Sequence, residues 1–121
     1  MKFLHINLLV KDIGAAREFY ARVLGLCEIP RTEGVQRPGA WFKLGDVEIH
    51  LAEDARQSVE TSTRHFAARV SDLDAFRTSL LNAGAPIETD RPLPNIRRFF
   101  TRDPSGNRIE LQEQLERFDS P

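Results

Sequence analysis

The chain has 121 residues, of which 40% are hydrophobic and 29% are charged, and its formal net charge is -1. This length suits one globular domain, and the even balance of 17 basic and 18 acidic side chains, spread along the chain, gives no sign of an extended basic surface for nucleic acids or anionic membranes. No apolar run approaches the roughly 20 residues of a membrane helix. The single cysteine, Cys27, cannot form an internal disulfide, and no signal-peptide pattern opens the sequence. We therefore expect a cytoplasmic protein without a nucleic-acid or membrane partner.

The two halves of the chain repeat one pattern at an offset of 60 residues. Residues 5–13, HINLLVKDI, and residues 65–73, HFAARVSDL, both place Val five positions and Asp seven positions after an initial His. The same offset aligns the apolar residues that follow at helical spacing. The pattern predicts a strand followed by a helix in each half, with Asp12 and Asp72 as the helix N-caps.

Each predicted helix stops at a glycine, Gly25 or Gly84, and strand-like runs follow. These runs are LCEIPR, AWFKLG and VEIHLAE in the first half and APIET, RRFFTR and NRIELQE in the second. Residues 54–63 are polar and aperiodic, which is typical of a linker. The sequence therefore predicts one α+β domain over the whole chain, built from two βαβββ modules at residues 1–53 and 64–121.

All three histidines of the chain, together with one glutamate, occupy equivalent positions in the two halves. The offset pairs His5 with His65 and His50 with Glu110. Neutral imidazole and carboxylate ligands together suit Zn, Ni, Fe or Mn, and strands hold such ligands rigidly. Alternatively, His50 and Glu110 could face water on half-buried strands, and the other two histidines could be hydrogen-bonded core residues. The shared register favours the metal site.

The chain resembles the vicinal oxygen chelate superfamily, which includes glyoxalase I, bleomycin-resistance and fosfomycin-resistance proteins, methylmalonyl-CoA epimerase and extradiol dioxygenases. The resemblance rests on four stretches spread over nearly the whole chain, FLHINLLVKD, FYARVLGL, HFAARVSDLDAF and DPSGNRIEL. It implies two βαβββ modules related by an internal pseudo-two-fold axis, with their sheets curled into a cup around a metal. It also implies that His5, His65 and Glu110 bind the metal and that His50 takes a fourth position, where glyoxalase I has Glu and the epimerase has Gln.

The resemblance further implies chemistry at two neighbouring oxygen atoms of a small substrate. In this family the metal acts as a Lewis acid, and a ligand such as Glu110, or the residue in the His50 position, transfers a proton. We therefore expect a metal-dependent lyase or isomerase with Glu110 and His50 as catalytic residues. Leu9 and Asp54 stand where glyoxalase I often has Arg and Asn, so glutathione is not the expected substrate.

Two other functions remain open at this point. An extradiol dioxygenase would hold Fe(II) with His5, His65 and Glu110, although His50 would then fill a position that oxygen and the catechol need. A protein that binds a small molecule or an antibiotic without a metal, as the bleomycin-resistance relatives do, would need no ligand set. Metal content and ligand binding in the presence of a chelator distinguish these functions.

The middle strands supply the expected walls of a substrate pocket, although aromatic residues in strands often serve only packing. The expected lining residues are Trp41, Phe42, Phe99, Phe100 and Arg98. The neighbouring Arg97 and Arg102 either meet an anionic substrate or lie at a solvated strand edge. Because one pair of modules leaves sheet edges exposed, we expect a homodimer whose site lies either within one chain or across two.

Overall fold

Two sheets and two helices make up residues 1–115, the part of the chain that this computed structural model describes. The strands are β1 (His5–Val10), β2 (Cys27–Ile29), β3 (Gly39–Leu44), β4 (Val47–Glu53), β5 (His65–Arg69), β6 (Ile96–Arg102) and β7 (Arg108–Gln114). The helices are α1 (Ile13–Glu18), which a π-helical turn over Phe19–Val23 continues, and α2 (Leu73–Asn82). No helix among the described residues is long and apolar enough to cross a membrane. Residues 116–121 of the predicted second module lie outside the described part.

The two sheets repeat one topology. The first has the strand order β1-β4-β3-β2, and the second has the order β5-β7-β6. In each sheet the first and last strands of the half pair in parallel, β1 with β4 and β5 with β7, while the other pairs are antiparallel. The predicted α+β fold with two repeated modules is confirmed. Within residues 1–115 no strand pairing joins the two sheets into a closed one.

Two kinds of carboxylate cap each helix at its predicted start. The side chains of Asp12 and Asp72 accept hydrogen bonds, at 3.1 and 3.0 Å, from the backbone N–H three residues later. Glu53 and Glu113, near the ends of β4 and β7, accept from the first N–H of α1 and α2 at 2.9 and 3.0 Å. The 60-residue offset therefore also relates the residues that hold each helix on its sheet.

The second half departs from the three strands predicted after its helix. The APIET segment forms an isolated bridge at Glu88 and not the predicted strand. The Glu88 backbone exchanges hydrogen bonds of 2.7 and 2.8 Å with Phe100. Pro86 has no N–H to contribute to a longer ladder. In the first half, β2 keeps only Cys27–Ile29 of the predicted LCEIPR run, because Pro30 interrupts the donor pattern directly afterwards.

Three glycines adopt the left-handed backbone conformation at chain reversals that matter for the fold. Gly25 and Gly84, the predicted helix ends, have φ values of +73° and +77°. Gly106, in the turn between β6 and β7, has a φ of +87°, and a Cβ atom there would collide with the backbone of Glu60. The linker between the modules therefore packs directly on this turn.

A buried hydrogen-bond cluster joins the two modules. The Tyr20 hydroxyl, on the π-helical turn, donates to the Asp103 carboxylate at 2.8 Å, and both residues are buried. Asp103 also accepts from the backbone N–H groups of Ser105 and Asn107 and from the Asn107 side chain. The Asn107 side chain in turn donates to the Leu9 carbonyl at 2.9 Å. The cluster thereby fixes the β6–β7 turn against β1 and the first helix.

Candidate metal and substrate site

One face of the second sheet carries half of the predicted site. Glu110 on β7 pairs in register with Ala67 on β5 and with Phe100 on β6, and His65 lies two residues before Ala67. Residues paired across strands share a face, and side chains alternate along each strand. His65, Phe100 and Glu110 therefore project from the same side of the sheet, opposite to the side whose Phe99, Ile109 and Leu111 lie in the core with residues of α2.

His65 and Glu110 point at each other. The His65 Nε2 atom lies 3.2 Å from Glu110 Oε1. The other ring nitrogen, Nδ1, lies 2.9 Å from the Thr63 carbonyl oxygen, which can only accept a hydrogen bond, so Nδ1 carries a proton. In neutral His65 the Nε2 atom then presents a lone pair to a carboxylate. Two acceptors at this distance need a cation between them, either a proton or a metal ion.

Two side chains orient the Glu110 carboxylate, which is only 4% exposed. The Gln112 amide donates to Glu110 Oε2, and Arg98 Nη1 lies 3.6 Å from Glu110 Oε1. Arg98 is itself largely buried and donates to the Arg91 carbonyl at 3.0 Å. The negative charge of Glu110 is thus balanced by a guanidinium within the same face of the sheet.

The Phe100 ring lies next to His65, and two arginines that share one carboxylate lie near this ring. The Phe100 ring meets the His65 ring edge-on at 5.1 Å, and the Arg108 guanidinium lies 3.6 Å from the Phe100 centroid. Glu88 accepts from Arg102 Nε at 2.9 Å and from Arg108 Nε at 3.1 Å. These bonds, the one from Arg102 above all, lower the pKa of Glu88 below its ordinary value. Glu88 therefore binds Arg102 and Arg108 and partly neutralises their charges.

The first sheet carries a stack of three rings. The His50 ring lies between Trp41, with centroids 3.8 Å apart and planes 1° apart, and His5, with centroids 3.9 Å and planes 12° apart. His50 Nε2 also lies 2.8 Å from Glu48 Oε1. Imidazole lone pairs lie in the plane of their ring, and the planes of these two rings are nearly parallel and separate, so the lone pairs are not aimed at one point between the rings. In this arrangement His5 and His50 do not form a chelating pair by themselves.

The four predicted ligands therefore form two pairs, one on each sheet. Within residues 1–115 no group of three or more His, Cys, Asp or Glu side chains is placed to hold one metal ion. Of the predicted lining residues, Trp41, Phe100 and Arg98 accompany the two pairs. Phe42 and Phe99 instead lie in the hydrophobic core, because each precedes or follows a site-facing residue on its strand and so faces the other way.

Three polar residues that shape the site were not predicted from the sequence. Gln112 and Arg108 alternate with Glu110 along β7, and this alternation was a signal that they share its face. Glu88 gave no such signal, because it reaches the site only through its backbone bridge to Phe100. The ion pairs of Glu88 with Arg102 and Arg108 form because the tertiary structure brings these three residues together.

A cleft of about 350 Å³ opens beside His65. It lies between β1 and β5, which are edge strands of the two sheets. His65 and Arg108 supply polar walls, and Ile6, Leu8 and Phe66 supply apolar ones. This volume falls in the range of sites that bind small molecules.

Residues 2–111 match the family model described as the Glyoxalase/Bleomycin resistance protein/Dioxygenase superfamily, and the chain belongs to this family. The resemblance seen in the sequence motifs is therefore confirmed. The match covers the whole of both sheets except the last residues of β7.

Individual relatives agree with this assignment. The metallothiol transferase FosB of Shouchella clausii is 32% identical over 120 residues, which cover 88% of this chain and 76% of FosB. The crystal structure of a glyoxalase family protein from Bacillus anthracis is 34% identical, with a TM-score of 0.81 over 94% of this chain and 95% of that chain. TnmS3, an antibiotic binding protein from Streptomyces sp. CB03234, shares the fold at 22% identity and a TM-score of 0.75 over 94% of this chain and 96% of its own.

Proposed function

We propose that the protein is a metal-dependent enzyme of the lyase or isomerase type, which acts on a small substrate through two neighbouring oxygen atoms. Membership of the family and similarity to a metallothiol transferase support the metal-dependent class. The observation that carries the proposal is the His65–Glu110 pair, whose facing Nε2 and Oε1 atoms are placed to share either a proton or a metal ion. Imidazole and carboxylate ligands are compatible with Zn, Ni, Fe and Mn alike.

The spacing of this pair suits two ligands of one metal ion. Bonds of about 2.0–2.2 Å at tetrahedral or octahedral angles place adjacent ligand atoms about 2.8–3.6 Å apart. The Nε2 and Oε1 atoms of His65 and Glu110 are 3.2 Å apart. A metal-binding histidine commonly donates its other N–H to a carbonyl, as His65 does to Thr63. The pair therefore fits two adjacent positions of a coordination sphere.

The third ligand in this proposal is His5 of a second copy of the chain. Among the described residues of one chain only two ligands converge. His5 is exposed on β1, an edge strand, and it follows Phe3 and Leu4, each 63% exposed. An unpaired edge with exposed apolar side chains favours association with another protein surface. In a homodimer, the exposed edge of one copy would bring its His5 to the His65–Glu110 pair of the other.

The side chains of the site have separate tasks in the proposed reaction. A bound metal would supply Lewis-acid activation of the substrate oxygens. Glu110 accepts a proton at its carboxylate, which Gln112 and Arg98 hold in a fixed orientation. We keep His50 as the proposed fourth ligand and second proton-transfer group. To bind a metal its ring must leave the hydrogen bond to Glu48.

Metal content tests the proposal directly. Protein purified without an affinity tag is subjected to elemental analysis, together with His65→Ala, Glu110→Ala and, as a control, Glu28→Ala on the exposed strand β2. We expect about one transition metal per site in the wild type and in the control, and loss of the metal in the other two variants. A wild type that holds no metal and also refuses added Zn, Ni, Fe(II) and Mn would contradict the proposal.

Mixing two inactive variants tests whether the site spans two chains. His5→Ala and Glu110→Ala each remove a ligand from every site of a homodimer. In a mixed dimer, one of the two sites regains its complete set only if the ligands come from different chains. Recovery of metal binding on mixing is therefore expected. No recovery, with both variants folded and dimeric, would place the whole site within one chain.

A metal-free binding protein is the second candidate, and the ring stack of the first sheet favours it. The Trp41, His50 and His5 rings form a flat aromatic surface, and His5 at its end is exposed. Such a surface suits a planar ligand that stacks on the imidazole. Saturable binding of an aromatic ligand that a chelator leaves unchanged and that His5→Ala abolishes would favour this function. The same binding lost with the metal would favour the enzyme.

A further inference from the structure

One row of residues crosses the second sheet next to the His65–Glu110 pair. In strand register, Arg69 on β5 pairs with Gln112 on β7, and Gln112 pairs with Arg98 on β6. Residues paired in this way share a face, so this row lies on the same face as Glu110 and directly beside it. Two strand spacings of about 4.8 Å separate the backbones of the two arginines, so the ends of both long side chains can reach one small group between them.

The charge of this face is positive. Four arginines stand on it, and the carboxylates close to them among residues 1–115 are Glu110 on β7, the bridging Glu88, and Asp90, which lies 3.9 Å from Arg98. The arginines are Arg69, Arg98, Arg102 and Arg108. Glu88 neutralises the last two in part, and Glu110 lies 3.6 Å from Arg98. This surplus contrasts with the net charge of -1 of the whole chain.

Two of these guanidinium groups have unused hydrogen-bonding capacity. Arg69 is exposed, and its side chain has neither a hydrogen bond nor an ion pair among residues 1–115. Arg98 is 15% exposed, and its Nε atom is buried without a hydrogen-bond partner in the described part of the chain. A buried donor without a partner costs free energy, and positioned donors of this kind are suited to a ligand.

We infer that the Arg69–Gln112–Arg98 row binds the oxyanion of a small acid, a phosphate, phosphonate or carboxylate group, and holds the rest of the molecule against His65 and Glu110. The inference rests on the proposed function, since it names the substrate class of that site. Guanidinium groups bind such oxyanions through parallel N–H donors, and Gln112 adds an amide donor beside them. The row lies two residues along each strand from Glu110 and its register partners, so the acid group of the substrate would bind about 6.6–6.8 Å along the strands from the Glu110 position.

Inorganic phosphate serves as the probe. Its affinity for the full chain is measured by calorimetry, as purified and again after dialysis against a chelator, so that binding to a metal is separated from binding to the arginines. The variants are Arg69→Gln and Arg98→Gln. The control is Arg97→Gln, the adjacent residue on β6, which faces the other side of the sheet and pairs with Asp74.

Each of the two variants should weaken phosphate binding about tenfold or more, and the control should leave it unchanged. Higher ionic strength should weaken phosphate binding more in the wild type than in Arg69→Gln, because the variant has lost one of the charges that attract phosphate. Because the Arg69 side chain has no hydrogen-bond or ion-pair partner within residues 1–115, Arg69→Gln should unfold like the wild type, and equal phosphate affinity in that variant would overturn the inference. So would a wild type that binds no phosphate. Metal titration of the same samples separates the two hypotheses. A wild type that binds phosphate but no metal would refute the metal-dependent function and support the oxyanion site.

Discussion

The Tyr20–Asp103 hydrogen bond between the modules gives the sharpest test of the fold. Tyr20→Phe removes one hydroxyl at 2.8 Å from Asp103 in a site where Tyr20 is 0% and Asp103 is 4% exposed. A buried hydrogen bond to a charged group contributes about 1.5–3 kcal/mol. Asp103 keeps its donors from Ser105 and Asn107, so the variant leaves the carboxylate partly satisfied. We therefore expect a loss of about 2 kcal/mol in the free energy of unfolding.

The same bond predicts how stability changes at alkaline pH. Burial, and then the nearby Asp103 carboxylate, raise the pKa of Tyr20 well above its ordinary value of 10.0. The unfolded chain releases the hydroxyl proton near pH 10, whereas the folded chain retains it to higher pH. The stabilisation is therefore complete below about pH 10 and declines as the pH rises from there towards the pKa of the folded state. Tyr20→Phe lacks this dependence, so the stability difference between the two proteins should narrow above about pH 10.

Denaturant unfolding at several pH values measures both effects. Because Tyr20 is the only tyrosine, its ionisation can also be followed by the ultraviolet absorbance of tyrosinate. In thermal unfolding at neutral pH, we expect the melting temperature of Tyr20→Phe to be about 6–10 °C below that of the wild type. Two results would refute the reasoning: a variant as stable as the wild type, or a tyrosinate signal that appears near pH 10 while the protein is still folded.

Three further predictions concern the packing around the site. Gly106→Ala should destabilise the fold by about 2 kcal/mol or more in chemical unfolding, because an added Cβ atom meets the Glu60 backbone at a left-handed φ; an unchanged midpoint would contradict this contact. Glu113→Gln should cost about 0.5–1 kcal/mol, since it weakens the cap on Leu73, and Glu53→Gln on α1 is the matched comparison. The pKa of Glu88 is lowered in the folded state, so its stabilisation is present above about pH 4.3 and is lost as the pH falls further; the gap between wild type and Glu88→Gln should close there in acid unfolding.

Local patterns in the sequence determined the repeated fold. The 60-residue offset places Asp12 and Asp72 at the same step of each half, and both cap a helix as predicted. Capping and left-handed glycine stops are decided by a few neighbouring residues, so they can be recognised without knowledge of distant contacts. The alternation of polar and apolar residues likewise indicated that Glu110 occupies a strand position, since side-chain direction in a strand has a period of two.

Only the tertiary structure decided how these positions meet. The sequence places His5, His50, His65 and Glu110 in one register, but the register does not state how the two sheets are oriented. In the structure, His65 pairs with Glu110 on the second sheet, whereas His5 and His50 lie in a separate ring stack on the first. Prolines after α2 reduced a predicted strand to the single bridge at Glu88, and that bridge in turn gathers arginines from two strands. These contacts join residues far apart in the chain, and their geometry follows from packing between modules, which no local pattern encodes.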